Sequence, residues 1–299
     1  MKRLFTIVSF WVGLISGMGL AVSPLWAASS NPVQEKNPVE TEQRDEFKDN
    51  SFLIEEAYNQ EPGEVQHIFN AVRLWDRGNG VETRRWGFLF TQEWPLWSQT
   101  HQLSYAVPYE SVSVDSEESA GLKDLFLNYR LQALVETADR PALALRLSLI
   151  LPTGDESKTL GSGEVGYQTN LALSKFAEPF YLHLNTGATF IPGVRRKLLT
   201  DSFSPRQDLL GFNFGFSTIY RIRPMLNLLF EFVAARDQEI SDTGSKEETI
   251  SLIFSPGIRY AINLPGDVQH VLGMGFPVPL SEEAADWGIF YYYSMEHLF

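Results

Sequence analysis

The ten residues ALALRLSLIL, 142 to 151, place leucine at positions 143, 145, 147, 149 and 151, with Arg146 and Ser148 between them. On a pleated strand every one of those leucines lies on one face and the arginine on the other. The same alternation recurs between Leu210 and Ile222, where Leu210, Phe212, Phe214, Phe216 and Tyr220 oppose Gly211, Asn213, Gly215, Ser217 and Arg221. It returns between Thr249 and Leu264, with Ile250, Leu252, Phe254, Ile258, Tyr260, Ile262 and Leu264 set against Ser251, Ser255, Gly257, Arg259 and Asn263. One face is aliphatic and aromatic, the other small, polar or cationic.

Extending this reading predicts about twelve strands, at 65–75, 83–93, 100–109, 121–135, 141–151, 164–175, 179–191, 209–221, 224–235, 248–262, 267–277 and 287–299. A length near ten residues suits a tilted membrane-spanning strand. The connections alternate between long ones, such as DRGNGVE at 76–82, ESVSVDSEESAG at 110–121 and RDQEISDTGSKEE at 236–248, and short ones, such as PGD at 265–267. An up-and-down meander sorts its loops by parity in this way, and in outer-membrane barrels the short turns face the periplasm. The expected fold is an all-β, antiparallel up-and-down transmembrane β-barrel over residues 63–299, with both termini periplasmic.

The N-terminus carries Lys2 and Arg3, an apolar run from Leu4 to Val22, then Pro24 and the pair Ala27-Ala28. Those are the parts of a secretory signal peptide over residues 1–27, with an uncleaved membrane anchor as the other reading. Cleavage removes two positive charges and no negative ones, so the formal net charge of −13 becomes −13 − 2 = −15. Such a chain is a poor ligand for nucleic acid. The absence of cysteine excludes thiol nucleophiles, thiolate metal sites and a disulfide framework. No second apolar run is long enough for a helix to cross a membrane. Residues 28–50 are polar and charged, too poor in apolar surface to fold alone. Together with Glu55, Glu56, Asn59, Gln60, Glu61 and Glu64 they form either a flexible leader, 28–62, or a plug that folds inward to meet lumenal arginines.

The last twelve residues, GIFYYYSMEHLF, end on Phe299, and stepping back by two gives His297, Met295, Tyr293, Tyr291 and Ile289. This pattern resembles the C-terminal signature of bacterial outer-membrane proteins, which is read by the barrel-assembly machinery; His297 departs from it. Trp75, Trp86, Trp94, Trp97, Trp287 and Tyr109 fall near the ends of the predicted strands, where amphipathic rings form interface girdles.

If the apolar positions face lipid, Arg85, Arg130, Arg146, Arg221 and Arg259 face the lumen with Glu93, Glu231 and His183. Such an interior either selects anionic solutes through bidentate guanidinium contacts or fills itself by mutual pairing. The long loops carry carboxylates at Asp115, Glu117, Glu118, Asp237, Glu239, Asp242, Glu247, Glu248, Glu282, Glu283 and Asp286, and one basic cluster, Arg195-Arg196-Lys197, suited to lipid phosphates. The carboxylate spacing matches no fixed metal cage, and no cofactor site is indicated. A lipase on the outer wall would need a serine paired with a histidine such as His270 or His297, and no nucleophile-elbow motif is present.

Three stretches, SFLIEEAYNQEPGEVQHI (51–68), GLKDLFLNYRLQ (121–132) and RLSLILPTGDESKTLGSG (146–163), resemble an outer-membrane barrel family named after the meta-pathway of phenol degradation. The loop Leu151-Pro152-Thr153-Gly154-Asp155 is the most specific part of that resemblance. It implies an outer-membrane channel or transporter for small solutes, hydrophobic or aromatic ones among them. The alternative is a closed structural or sensing barrel. Outer-membrane lipid and lipopolysaccharide are the expected surroundings.

Overall fold

The computed structural model describes Asp49 and residues 51–78, 81–114, 117–198, 202–281 and 287–298. The expected signal peptide, Phe299 and the loop carboxylates Asp115, Glu282, Glu283 and Asp286 lie outside the described residues.

The strands are β1 (Glu64–Gly78), β2 (Val81–Leu96), β3 (Ser98–Val114), β4 (Glu117–Leu122), β5 (Leu125–Leu134), β6 (Ala142–Leu151), β7 (Gly166–Ala177), β8 (Phe180–Val194), β9 (Gln207–Arg223), β10 (Leu226–Ile240), β11 (Lys246–Leu264), β12 (Val268–Gly275), β13 (Val278–Pro279) and β14 (Trp287–Leu298). Each pairs antiparallel with its neighbour around one closed wall, and β1 and β14 complete the ring in register from Glu64↔Leu298 to Trp75↔Trp287. The fourteen segments make a twelve-stranded barrel, because β4 with β5 and β12 with β13 are walls broken in two.

The first break corrects the unbroken strand expected over 121–135. Pairing of β3 with β4 ends at Tyr109↔Leu122 and pairing with β5 starts at Ala106↔Phe126. Opposite the gap stands Pro108, which has no N–H to give the ladder; its carbonyl still accepts from the Lys123 amide at 2.9 Å. The second break falls at Phe276-Pro277, for the same lack of a donor.

Three connections expected to be long loops are instead hairpin extensions of the wall. Only residues 79–80, 115–116 and 241–245 separate β1 from β2, β3 from β4 and β10 from β11. Backbone pairing continues beyond the apolar belt because each added residue finds a ladder partner. The composition turns polar on both faces there, because both are wet. Tyr109 accordingly sits inside β3, not at its end.

The barrel inverts the distribution of a soluble core. Phe69, Leu127, Leu147, Phe214, Tyr260 and Leu272 are exposed on the outside, while Gln66, Gln102, Arg146, Gln168, Asn185, Glu231 and Arg259 are buried within. A closed sheet with an apolar outer belt is the β-solution to crossing a bilayer. Trp75 stacks on Trp287 at 4.0 Å between ring centroids near the long-loop end, and Trp94 meets Tyr105 edge-on toward the other.

The one long loop described throughout, 152–165, is tied down by Asp124 in the β4–β5 gap. Its carboxylate accepts from the Gly154 amide at 2.9 Å, the Ser162 amide at 2.7 Å and the Ser162 hydroxyl at 2.8 Å. Thr153 Oγ1 accepts from the Leu125 amide and donates to the Lys123 carbonyl, both at 3.1 Å. Gly154 packs so closely that a Cβ there would overlap the Leu160 carbonyl. Exposed Asp155 caps the short 3₁₀ turn Glu156–Lys158, and its hydrogen bonds from Ser157 hold its carboxyl below the usual range. Asp124→Ala removes three hydrogen bonds to a carboxylate, worth on the order of 2 kcal/mol or more together. Limited proteolysis is expected to cut within 155–163 much faster in this variant, while the heat-modifiable gel mobility of the barrel stays unchanged.

Candidate functional site

The lumen is not empty. Residues 51–63 contribute no strand to the wall, yet Phe52, Leu53, Ile54, Ala57, Asn59 and Gln60 are each at most 7% exposed, because they run inside the barrel. Their path is fixed by wall side chains that capture successive backbone amides. The Leu53 N–H donates to Glu231 of β10 at 2.8 Å, Glu55 to Asn185 of β8 at 2.8 Å and Ala57 to Ser174 of β7 at 2.7 Å. Asn59 N–H donates to Gln132 of β5 at 3.1 Å and Gln60 N–H to Gln102 of β3 at 2.8 Å. An extended chain turns alternate amides to one side, so the segment follows the inner wall from β10 to β3 before entering β1.

The segment forms an arch. Its feet stand at the short-turn end, where Tyr58 donates to Glu136 in the β5–β6 turn and the Asn59 amide side chain donates to the Thr100 carbonyl. Its crown is Phe52, whose ring lies 5.5 Å from that of Phe290 and 5.4 Å from that of Tyr292. Gly257, Gly273 and Gly275 form the slot that receives it: a Cβ on Gly257 would come within 2.6 Å of the ring and one on Gly275 within 3.1 Å, with Gly273 tighter still. The near foot is Asp49, whose carboxylate accepts from Gln66 of β1 at 2.8 Å and from Tyr292 and Ser294 of β14 at 2.7 Å each.

The inward charges predicted from strand parity divide by height. Arg130 donates to the carbonyls of Glu56 and Tyr58 at 3.4 and 2.6 Å and to Asn59 Oδ1 at 2.7 Å, with Glu93 at 3.7 Å. Arg146 meets the Glu55 carboxylate at 2.9 Å, and Arg259 donates to the Asp49 carbonyl at 2.9 Å. Glu231 and His183 complete this group, the latter 2.7 Å from Ser174. Arg85 sits elsewhere, at the long-loop mouth, where it and Lys123 approach Glu110 at 3.4 and 3.6 Å. Arg221 does not join the lumenal group: it lies at the β9–β10 turn, 3.1 Å from exposed Glu178 and over the ring of Phe176.

Above the crown, Leu89 packs on the inward residues Ala106, Phe126 and Ile150 as an apolar layer. Beyond it a cavity of about 180 Å³ opens at the mouth, lined by Phe126, Ile150, Leu160, Ile191 and Val194 with Lys123, Asp124, Arg196, Asp237 and Glu239 around it. A second space of about 100 Å³ runs beside Phe52–Glu55, between Ile68, Leu89 and Ala106 and the polar groups of Asn70, Glu93, Asn128 and Arg146. Elsewhere the loop charges pair locally: Arg236 with Glu248 at 2.6 Å, Arg196 with Asp242 at 3.1 Å, Ser111 with Glu118 at 3.0 Å, and Arg195 over the Phe203 ring at 4.5 Å. No cluster of three metal-ligating side chains occurs among the described residues.

The Ser174–His183 contact was not legible before the β7–β8 register was known. Both side chains are buried, and the Ser174 hydroxyl, which accepts from the Ala57 amide, links the imidazole to the internal segment. Asp49 and the glycine slot for Phe52 also escaped sequence reasoning, although glycine at inward positions 257, 273 and 275 of two paired strands is a signal once the register is known.

No protein-family profile matches this sequence, and no curated protein sequence matches it. Solved structures do. An outer membrane channel from Pseudomonas putida F1 superposes with a TM-score of 0.63 at 12% identity, over 85% of this chain and all of that one. The translocator domain of the autotransporter NalP from Neisseria meningitidis gives 0.51 at 12% identity, over 81% of this chain and 90% of that one. The chain therefore has the outer-membrane β-barrel fold.

Arg130→Ala should release the descending limb of the arch. Removing one partner of a buried charged network costs about 3–5 kcal/mol, which hydrogen exchange reads as amides of Glu55–Gln60 exchanging at least a hundredfold faster. Wall amides such as those of β9 should be unaffected.

Proposed function

We propose that this barrel is a passive outer-membrane channel for small, mainly apolar solutes, and that the internal arch restrains flow through it. The observation that carries this reading is the order of the lumen. A mouth cavity lined by Phe126, Ile150, Leu160, Ile191 and Val194 with charged groups around it is followed by the apolar layer Leu89, Ala106, Phe126 and Ile150, and then by a narrow space beside a segment that belongs to no strand. An apolar cavity of about 150 Å³ suffices for benzene, so a ring-sized solute fits the mouth. The wall arginines Arg130, Arg146 and Arg259 are engaged by the arch, which favours apolar passage over selection of anions by open guanidinium groups.

The finer assignment to the barrel family named after the phenol meta-pathway is part of this proposal. Its support is the Leu151–Asp155 loop, which the fold uses to knit the mouth to the β4–β5 gap. In this reading the short turns face the periplasm, as in outer-membrane barrels generally. The barrel-assembly machinery would read β14 through its outward Tyr291, Tyr293 and Met295.

A closed structural barrel is the competing reading, favoured by how fully the arch pairs with the wall. Planar-bilayer recording separates the two. The intact chain should give small or rare conductance steps, and a variant lacking residues 49–60 should give steps several-fold larger. Phe52→Ala should fall between. Silence in all three, with folded barrels verified by heat-modifiable mobility, would refute the channel.

A further inference from the structure

Four histidines, His67, His101, His270 and His297, point outward near the short-turn end. His101 and His270 are each held by a tyrosine hydroxyl, Tyr129 at 2.6 Å and Tyr293 at 2.8 Å. His67 and His297 instead face each other: their Nε2 atoms are 3.2 Å apart, and their rings lie nearly parallel at 5.3 Å between centroids. One stands on β1 and the other on β14, so the pair spans the seam where the first strand meets the last.

We propose that His67 and His297 form a binding site for a divalent cation of the zinc class that staples the barrel seam. Two nitrogens bound to one tetrahedral zinc at about 2.0–2.1 Å stand about 3.3–3.4 Å apart, close to the spacing already present. The tautomer of His297 is also set for the task. Its Nδ1–H donates to the Leu298 carbonyl at 2.9 Å, which leaves the Nε2 lone pair directed at His67. Metal-binding histidines are oriented by such a carbonyl contact through the second ring nitrogen.

Without an ion, His67 donates Nε2–H to His297. With one, that proton moves to His67 Nδ1 through solvent, both Nε2 lone pairs bind the cation, and no net proton is released. The ring of Phe90 lies beside that of His67, 6.3 Å between centroids. His67 is the fourth residue of β1 and His297 the last but one of β14, so the pair lies at the short-turn rim of the wall, where water reaches the ion and fills its remaining positions.

The test uses untagged, folded protein in detergent, stripped with a chelator and titrated with Zn²⁺ near neutral pH. One ion per chain is expected, with a rise in the temperature at which the barrel unfolds on heat-modifiable gels, since a ligand of the folded state stabilises by mass action. His67→Gln and His297→Gln should each weaken binding on the order of tenfold or more, and His101→Gln and His270→Gln should not. Histidine modification of the wild-type chain gives a readout independent of any variant: Zn²⁺ should protect His67 and His297 and leave His101 and His270 reactive. Absence of Zn²⁺ binding, binding that survives both single substitutions, or protection that does not discriminate among the four would each overturn the site.

Discussion

A bilayer offers no partner for a backbone N–H or C=O, so every such group at membrane depth must be paired within the sheet. For this chain the requirement reduces to one contact, the antiparallel register of β1 with β14 from Glu64↔Leu298 to Trp75↔Trp287. Without it two strands of fifteen and twelve residues would present open edges to lipid. With it there is no edge, and two consequences follow at once. Alternate residues must face lipid, which gives the leucine ladder of β6 and the phenylalanine ladder of β9. The remaining residues must face a narrow interior, where polar groups need partners other than bulk water.

The arch answers the second consequence. Arg130, Arg146, Glu231, Asn185 and Ser174 are wall residues whose polar atoms would otherwise meet across a cramped lumen. A buried charge costs several kcal/mol unless it is paired and hydrogen-bonded. An extended peptide laid along the wall provides amides, carbonyls and the carboxylates of Asp49 and Glu55, so wall and arch satisfy one another. The same pairing makes the arch removable in principle: it touches the wall through side chains and takes no part in the ladder. If it leaves, water replaces it, and the arginines become the lining of an aqueous gap.

The outer surface was legible in the sequence because period two needs no knowledge of partners. Leu143, Leu145 and Leu147 declare a lipid face by themselves. Height along the barrel was not legible: parity put Arg221 on the inner face beside Arg146, but only the register shows that it sits at the β9–β10 turn. The hairpin extensions read as loops because residues such as Arg236, Asp237, Gln238 and Glu239 are polar on both faces and carry no contrast. The break in the fourth wall depended on Pro108 in a neighbouring strand. The arch was hardest, since SFLIEEAYNQEP has no periodic face of its own and its partners are remote, Leu53 and Glu231 being 178 residues apart.

Seam and arch are physically one assembly. On the outside the seam is crossed by Trp75 against Trp287 and by His67 against His297. On the inside it is crossed by Asp49, whose single carboxylate binds Gln66 on β1 together with Tyr292 and Ser294 on β14. Arg259 of β11 holds the Asp49 carbonyl, so the clamp reaches three walls. Tyr292 also packs on Phe52, the crown of the arch. The apolar contact of Phe52 and one polar contact of Asp49 therefore meet at a single seam residue, Tyr292. The outer contacts do not pass through the arch, so the ladder, the tryptophan stack and the histidine pair hold the ring closed independently of what fills the lumen.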